Sequence, residues 1–272
     1  PRVENTSESK AFLSIVRPPY AMVNLDVARQ LVNDGSTATE FTPEATAIIT
    51  TSTINDSSLY NITLAEEAEL VSAFNPAYHI PADQSLYDEH TPRDREQQLI
   101  RLLKGTAEIQ SRFAATGSTD LIPLIKGVSQ AELARCFEAL TNLGTQTVAF
   151  YATQYFTGGQ PNIDECKEMF AKVDAVLPDS CSLLVIGAAG ETLRDSYPKA
   201  TTAVASWYAW YSRIKAYYPA EIDPETIMNR PGEVLSSEAI EEMYLPFVDA
   251  LHNTLGVSTP PSYRLEWHHT TS

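Results

Sequence analysis

Cysteine, lysine and long apolar runs are all scarce in this chain of 272 residues. The three cysteines, Cys136, Cys166 and Cys181, are far apart, and each lies within or beside an apolar stretch. This spacing favours buried thiols over a disulfide or a metal site, so no structural zinc is expected. No apolar run has membrane-spanning length, and the N-terminal residues do not have the pattern of a signal peptide. A soluble, cytoplasmic protein without a membrane partner is therefore expected.

Basic residues are also few, and most of them are arginine. Lysine and arginine together number 19, of which 12 are arginine, against 35 acidic residues, and the formal net charge is −16. This charge repels a polyphosphate backbone at long range, so contact with DNA or tRNA would need a local basic patch. An acidic, lysine-poor surface also suits concentrated salt, which screens that repulsion. A halophilic source and an ordinary acidic cytoplasmic protein both remain open.

Glycine-rich phosphate-binding motifs are absent as well. Neither GxGxxG nor GxxxxGK[ST] follows any predicted strand. Their absence excludes the usual nucleotide-binding folds, because those folds need glycines where the backbone approaches a phosphate. The sequence therefore predicts no bound cofactor.

What the sequence does contain is a clear βαβ unit at residues 121–156. An apolar run at 121–125 predicts a first strand, and Ser129 begins an amphipathic helix that ends near Gly144. Residues 147–151 are again apolar without polar alternation, as in a strand covered on both faces. Because a short helical crossover joins parallel strands, this unit predicts a parallel sheet.

The alternation of strand and helix continues on both sides of this unit. Further strands are predicted at residues 12–16, 47–49, 78–81, 183–186 and 201–205, and further helices at 27–32, 92–113, 163–177 and 191–197. Another helix begins after Thr63, which forms a capping box with Glu66, and Thr91 is the predicted N-cap of the helix that opens with Pro92. Roughly seven or eight strand signals favour a single-domain α/β fold, a (β/α)8 TIM-type barrel, over an open doubly wound sheet.

The predicted organisation adds a C-terminal helical extension to this barrel. Residues 1–218 would form the barrel, and residues 219–257 would form a loop and a helix packed on it. Residues 258–272 are expected to be a poorly ordered tail. The whole chain would then be one domain.

Candidate functional residues lie just after the predicted strands, where a parallel barrel carries its site. They are mostly neutral hydrogen-bonding groups, with one carboxylate and one lysine at clear strand ends. The set is Thr51, Ser52, Asn55, Asp56, Asp83, Lys126, Gly127, Tyr151, Gln154, Gly187, Ser206 and Trp207. Such a set suits a flat polar ring better than phosphates or a metal.

Several of these residues also have a structural interpretation. Asp83 could accept hydrogen bonds from two donors of a heterocycle, or it could cap a turn. Lys126 could neutralise an anion, or it could form a salt bridge at a turn. Tyr151 and Trp207 could stack on a base, although an aromatic at a strand end is more often a core residue. His79, in an apolar stretch, is interpreted as a hydrogen-bonded core residue.

Taken in order, these strand ends resemble those of the tRNA-guanine transglycosylase superfamily, which includes DNA 7-deazaguanine transglycosylases. The resemblance covers residues 45–215. The family has a loop with aspartate and serine, for which the segment IITTSTINDSS offers either Thr51-Ser52 or Asp56-Ser57. The segment YHIPAD offers Asp83 for the base-recognising aspartate. In PLIKG, Lys126 and Gly127 stand where the family has glutamine and glycine. Tyr151 replaces the family's glycine-rich strand end. The segment LLVIGAAGETL, with Gly187, is most similar to the family's leucine-rich strand that ends in glycine before a short helix.

This resemblance implies an enzyme that exchanges guanine for a 7-deazaguanine base in tRNA or DNA. Asp83 would recognise the base and Tyr151 or Trp207 would stack on it. The other implied base-binding residues are Ser52, Lys126, Gly127, Gln154 and Gly187. Asp56 is the provisional acid or base, and Ser206 is the second candidate catalytic residue.

Two departures from the family pattern concern the chemistry. Ser206 stands where the family has its nucleophilic aspartate, and the family's zinc-binding cysteine and histidine cluster is missing. Because exchange through a covalent sugar-aspartate needs that carboxylate, Asp56 or Asp195 would have to replace it, or Ser206 would act differently. The alternative is a catalytically degenerate barrel that serves as a binding or structural subunit in a homo- or hetero-oligomer. A third interpretation is an unrelated lyase or hydrolase that uses Lys126.

Overall fold

In the computed structural model, the described residues are 1–114, 119–156, 162–189 and 191–206. Helices and parallel strands alternate through these ranges, which makes the protein a mixed α/β fold. None of the helices in these ranges is long and apolar enough to cross a membrane. The predictions for Trp207, the C-terminal extension and the tail lie outside the described residues.

The strands of the described ranges form two parallel sheets. They are β1 (Tyr20–Asn24), β2 (Ala47–Thr51), β3 (Tyr78–Ile80), β4 (Asp120–Leu121), β5 (Thr147–Tyr151), β6 (Ser182–Ile186) and β7 (Thr201–Ala205). The first sheet has the order β1-β2-β3-β4, and the second has the order β5-β6-β7. Every neighbouring pair is parallel, so the carboxyl ends of the strands in each sheet lie at one edge.

Isolated backbone contacts extend both sheets at their borders. Leu124, which follows β4, forms a parallel bridge with Ala149 of β5. Arg2 forms a parallel bridge with Met22 of β1, and the Arg2 N–H donates to the carbonyl oxygen of Ser206 at 3.2 Å. The chain after β4 therefore reaches the second sheet, and Arg2 lies between β1 and the residue that follows β7.

Helices occupy the connections between the strands. The α-helices are α1 (Ser7–Val16), α2 (Leu25–Asn33), α3 (Ala38–Phe41), α4 (Asp56–Leu59), α5 (Leu64–Phe74), α6 (Pro92–Ala114), α7 (Gln130–Asn142) and α8 (Ile163–Asp174), and two 3₁₀ helices span Thr153–Phe156 and Glu191–Ser196. The predicted N-caps are confirmed. Thr63 and Ser129 each form a capping box, and Thr91 accepts a hydrogen bond from the Asp94 N–H at 3.2 Å. These side chains satisfy N–H groups that have no partner inside the helix.

The predicted strand at residues 12–16 is wrong, because these residues form the second half of α1. The helix begins after Thr6, whose hydroxyl accepts from the Ser9 N–H at 3.2 Å. Phe12 and Val16, one helical turn apart, are both buried, and a short apolar run of this kind does not distinguish a buried helix from a strand. The first strand is instead β1, which the sequence interpretation missed.

The predicted strand at residues 121–125 is interrupted. Pro123 has no N–H to donate, so the regular pairing of β4 stops at Leu121 and resumes only as the bridge at Leu124. The Pro123 carbonyl still accepts from the Ala149 N–H at 2.8 Å. The predicted helix at residues 191–197 is likewise a 3₁₀ helix rather than an α-helix.

The core is apolar and contains the cysteines. Its largest cluster combines residues of β3 and β5–β7 with the inward faces of α6, α7 and α8. Cys136, Cys166 and Cys181 are free and buried, as predicted. Burial raises the pKa of Cys136 to about 11 and that of Cys166 to about 12, so these thiols stay protonated at neutral pH.

Gly187, directly after β6, provides a test of this packing. Its φ is +95°, and a Cβ there would lie 2.8 Å from the Thr153 Cα and would overlap the Thr153 side chain. We expect Gly187→Ala to lower the free energy of unfolding by about 3 kcal/mol, because backbone strain and overpacking act together. Urea denaturation measures this loss.

The matched control is Gly35→Ala. Gly35 has a similar φ of +79°, but no atom lies within 4 Å of the position its Cβ would take. This variant should lose only about 1 kcal/mol, which is the cost of the left-handed backbone alone. Equal losses for the two variants would show that close packing at Gly187 contributes nothing.

Candidate functional site

Ser52 joins the carboxyl end of β2 to the loop that follows β3. The Ser52 N–H and hydroxyl donate to the Ile80 carbonyl at 2.9 and 3.1 Å. The same hydroxyl accepts from the Asp83 N–H at 2.8 Å. The side chain of Ser52, directly after β2, therefore positions the backbone of Asp83, three residues after the end of β3.

Asp83 and Lys126 form a largely buried ion pair at this edge of the first sheet. Lys126 Nζ contacts Asp83 Oδ1 and donates to the Gln84 carbonyl at 2.5 Å. The Gln84 N–H donates to the same Asp83 oxygen at 2.8 Å. The two charged side chains are only 8% and 14% exposed, so each depends on the other for compensation.

The electrostatics of Asp83 follow from this burial. Burial raises the pKa of Asp83 above its ordinary range, although the Lys126 ammonium and the Gln84 N–H oppose the increase. Because the folded state then binds the proton more tightly than the unfolded state, ionised Asp83 costs stability above its folded pKa. A ligand that donates hydrogen bonds to this carboxylate would offset part of that cost.

Glu67 of α5 holds the turn that carries Asp83. Its Oε1 accepts from the Ala82 N–H at 2.9 Å and lies 2.9 Å from His79 Nε2. His79 Nδ1 lies 2.9 Å from Thr50 Oγ1. Glu67 and His79 are both almost completely buried, and the interpretation of His79 as a hydrogen-bonded core residue is confirmed.

The turn itself has an unusual backbone. Ala82 has a φ of +55°, a left-handed conformation that costs a residue with a side chain about 1–2 kcal/mol. Gly105 of α6 packs behind it, and a Cβ on Gly105 would lie 2.7 Å from the Ala82 Cβ. The bond to Glu67 and the missing side chain at Gly105 thus stabilise the turn that directs Asp83 towards Lys126.

Gly127 positions Lys126 by close packing on α7. A Cβ at Gly127 would lie 2.7 Å from the Leu133 nitrogen and 2.8 Å from the Glu132 Cβ. Only glycine allows the chain to pass this close to the first turn of α7. We therefore assign Gly127 a structural part in the site.

Glu132 connects the same turn to the loop after Asp83. Its Oε2 accepts from the N–H groups of Val128 and Ser129 at 2.9 and 3.1 Å, and Arg95 Nε lies 2.9 Å from its Oε1. Arg95 also donates to the His90 carbonyl at 2.8 Å. Burial acts to raise the pKa of Glu132, but the Arg95 and backbone hydrogen bonds outweigh it and hold the pKa below its ordinary value.

The predicted binding residues Tyr151, Gln154 and Gly187, and the predicted catalytic residue Ser206, lie at the second sheet. Tyr151 is the last residue of β5 and is partly buried against the main core. Gln154 lies in the 3₁₀ helix after β5 and hydrogen-bonds the Tyr155 side chain. Gly187 follows β6, and Ser206 follows β7 with only 9% exposure. All of them are at the carboxyl ends of their strands.

The register places Lys126 and Tyr151 at the same level. Leu124 pairs with Ala149, and each of the two site residues follows its bridge residue by two positions. The structure therefore brings Ser52, Asp83 and Lys126 into contact and puts Tyr151 on the adjoining strand.

Asp56 is the first residue of α4. Its catalytic role stays a prediction, and Trp207 lies outside the described residues. Within the described ranges, no three His, Cys, Asp or Glu side chains are close enough together to hold a metal ion.

Glu67 is the residue that the sequence interpretation missed. It shares a helical face with Val71 and Phe74, both completely buried, at spacings of four and three residues. A carboxylate on a buried face needs a hydrogen-bonding partner, so this periodicity was a signal that could have identified it.

Comparison with known proteins does not assign this chain to a family. No protein-family model and no curated protein matches this chain. Function must therefore be inferred from the residues at the strand ends.

Glu67 and its neighbour Glu66 allow a matched test of this network. Glu67→Ala leaves His79 and the Ala82 N–H without their partner in a buried place, so we expect a loss of about 3 kcal/mol in the free energy of unfolding. Glu66→Ala removes only an exposed capping carboxylate and should have a clearly smaller effect. Urea denaturation of both variants measures the difference, and equal losses would contradict the assignment.

Proposed function

We propose that this chain is a transglycosylase-like (β/α)8 barrel that binds guanine or a 7-deazaguanine base and exchanges it into DNA or tRNA. The observation that carries the proposal is the contact between Asp83 and Lys126 at the carboxyl edge of the strands. In parallel α/β barrels this edge is the functional face.

The backbone contacts between the sheets support the barrel. Leu124 links the first sheet to β5, and Arg2 lies between Ser206 and β1. With residues 2–3 as the eighth strand, the order would run from β1 to β7 and return to β1 through Arg2. Asp83, Lys126, Tyr151 and Ser206 would then surround one opening.

The Asp83–Lys126 pair is complementary to one edge of guanine. That edge carries the acceptor O6 beside the donors N1–H and N2–H₂, and a 7-deazaguanine keeps all three. Asp83 would accept from the two nitrogens, while Lys126 would donate to O6 in a charge-assisted hydrogen bond. Adenine presents a donor where guanine has O6, and that donor would face the ammonium group.

In the catalytic form of the proposal, the target nucleotide first leaves its stack. The glycosidic bond to the outgoing guanine breaks as its ring nitrogen takes up a proton. A new carbon–nitrogen bond then forms to the incoming base, which releases a proton. Asp56 is the proposed acid or base, Ser206 would stand at the position of the nucleophile, and Tyr151 or Trp207 would stack on the base.

Base discrimination tests the binding step. Guanine and 7-deazaguanine should bind, adenine should bind at least about tenfold more weakly, and Asp83→Asn should remove this preference. Binding should also weaken as the pH falls through the raised pKa of Asp83, since the protonated carboxyl accepts less well. Calorimetric titration measures these affinities.

The control for this test is Asp88→Asn, which changes an exposed aspartate in the same loop. It should leave guanine affinity unchanged, and thermal unfolding of Asp83→Asn shows whether that variant is folded. Equal affinity for adenine and guanine, or unchanged guanine binding by folded Asp83→Asn, would contradict the proposal.

A catalytically degenerate binding subunit is the second candidate function. The observation that favours it is that β7 runs into the nearly buried Ser206 rather than into a carboxylate. An active enzyme should incorporate labelled base into tRNA or DNA unaided and lose this activity on Asp56→Ala or Ser206→Ala. Base binding without incorporation, together with incorporation by a co-purifying related chain, would support the degenerate form.

A further inference from the structure

A cavity of about 620 Å³ opens at the end of the first sheet opposite to Asp83. Tyr78, Asp120 and Thr147, the first residues of β3, β4 and β5, line it. It therefore lies at the amino edge of these strands, apart from the proposed base site. Its size is in the range of small-molecule binding sites.

We propose that this cavity is a second binding site, for a small aliphatic amine in its cationic form. Among the described residues that line it, Asp120 carries the only formal charge. A carboxylate without a neighbouring cation attracts an ammonium group and repels an anion. The net charge of −16 adds a long-range attraction in the same direction.

Two helix ends strengthen the negative potential of this cavity. Gln110 and Phe113, from the C-terminal end of α6, and Leu143, at the C-cap of α7, all line it. The C-terminal end of a helix carries a partial negative charge. The Gln110 side-chain N–H donates to the Leu143 carbonyl at 3.0 Å, which holds the two helix ends together.

The basic residue in the last turn of α6 is already paired. Arg112 lies in the last turn of α6, but its guanidinium is 2.8 Å from Glu108 Oε1. Arg112 is also not among the residues that line the cavity. Among the described lining residues, the charge of Asp120 is therefore uncompensated.

The walls suit a ligand with a short hydrocarbon stem. Leu121 and Pro123 provide apolar surface, and Tyr78 and Phe113 add aromatic rings, a residue type that attracts cations. Thr106 also lines the cavity, and its buried hydroxyl has no hydrogen-bond partner in the described part of the chain.

Three probes of equal length test the proposal on the full chain. They are 1,4-diaminobutane, 1,4-butanediol and succinate, which differ only in whether their ends are cationic, neutral or anionic. Calorimetric titration should detect binding of the diamine, weaker binding of the diol and none of succinate. Asp120→Asn should weaken diamine binding about fivefold, as expected for an ion pair near the surface.

The control separates this cavity from the general attraction of an acidic protein for cations. Asp179→Asn removes the same charge at an exposed position outside the cavity lining and should leave the diamine affinity nearly unchanged. Equal weakening by both variants, diol binding as tight as diamine binding, or no diamine binding would each overturn the proposal. Because Asp83 takes no part, failure here would leave the guanine test unaffected.

Discussion

The geometry of the candidate site depends on two contacts of the buried Glu67 carboxylate. It accepts a hydrogen bond from the Ala82 N–H and contacts the buried imidazole of His79. A desolvated carboxyl group and imidazole each need a hydrogen-bonding partner, so their contact fixes α5 against β3. The Ala82 turn then directs Asp83 to Ser52 and Lys126. A helix on the outside of the sheet thereby sets the position of a charged residue at its edge.

The two edges of the first sheet differ in electrostatic character, and the parallel topology explains why. Each helix runs back from the carboxyl edge to the amino edge, so helix C-termini collect beside the starts of the strands. At the carboxyl edge, Asp83 and Lys126 compensate each other and together offer an acceptor beside a donor. At the amino edge, Asp120 adds its charge to the ends of α6 and α7. The carboxyl edge therefore presents a compensated pair of charges, and the amino edge presents a carboxylate without a cation among the described lining residues.

Sequence reasoning succeeded where short-range interactions decide the structure. Ser129 and Glu132, three residues apart, begin α7 as predicted, and β5 and β7 have their predicted bounds. It failed at residues 12–16, because a five-residue apolar run is compatible with either a helix or a strand. Pro123, which interrupts the hydrogen bonding of β4, can be read from the sequence. Where strand pairing stops and resumes depends on the neighbouring strands, which the sequence does not specify.

The residue types at the strand ends, the helix caps and the alternation of strand and helix follow from the amino-acid sequence, because each depends on residues a few positions apart. Which of those strand-end residues meet does not. The Ser52 hydroxyl accepts from the Asp83 N–H across 31 residues, and Lys126 reaches the Asp83 carboxylate from the segment after the Leu124 bridge. Such contacts arise only when strands pair in one register and helices pack against them. For that reason the tertiary structure alone joined Asp83 to Lys126 and placed Glu67 beneath them.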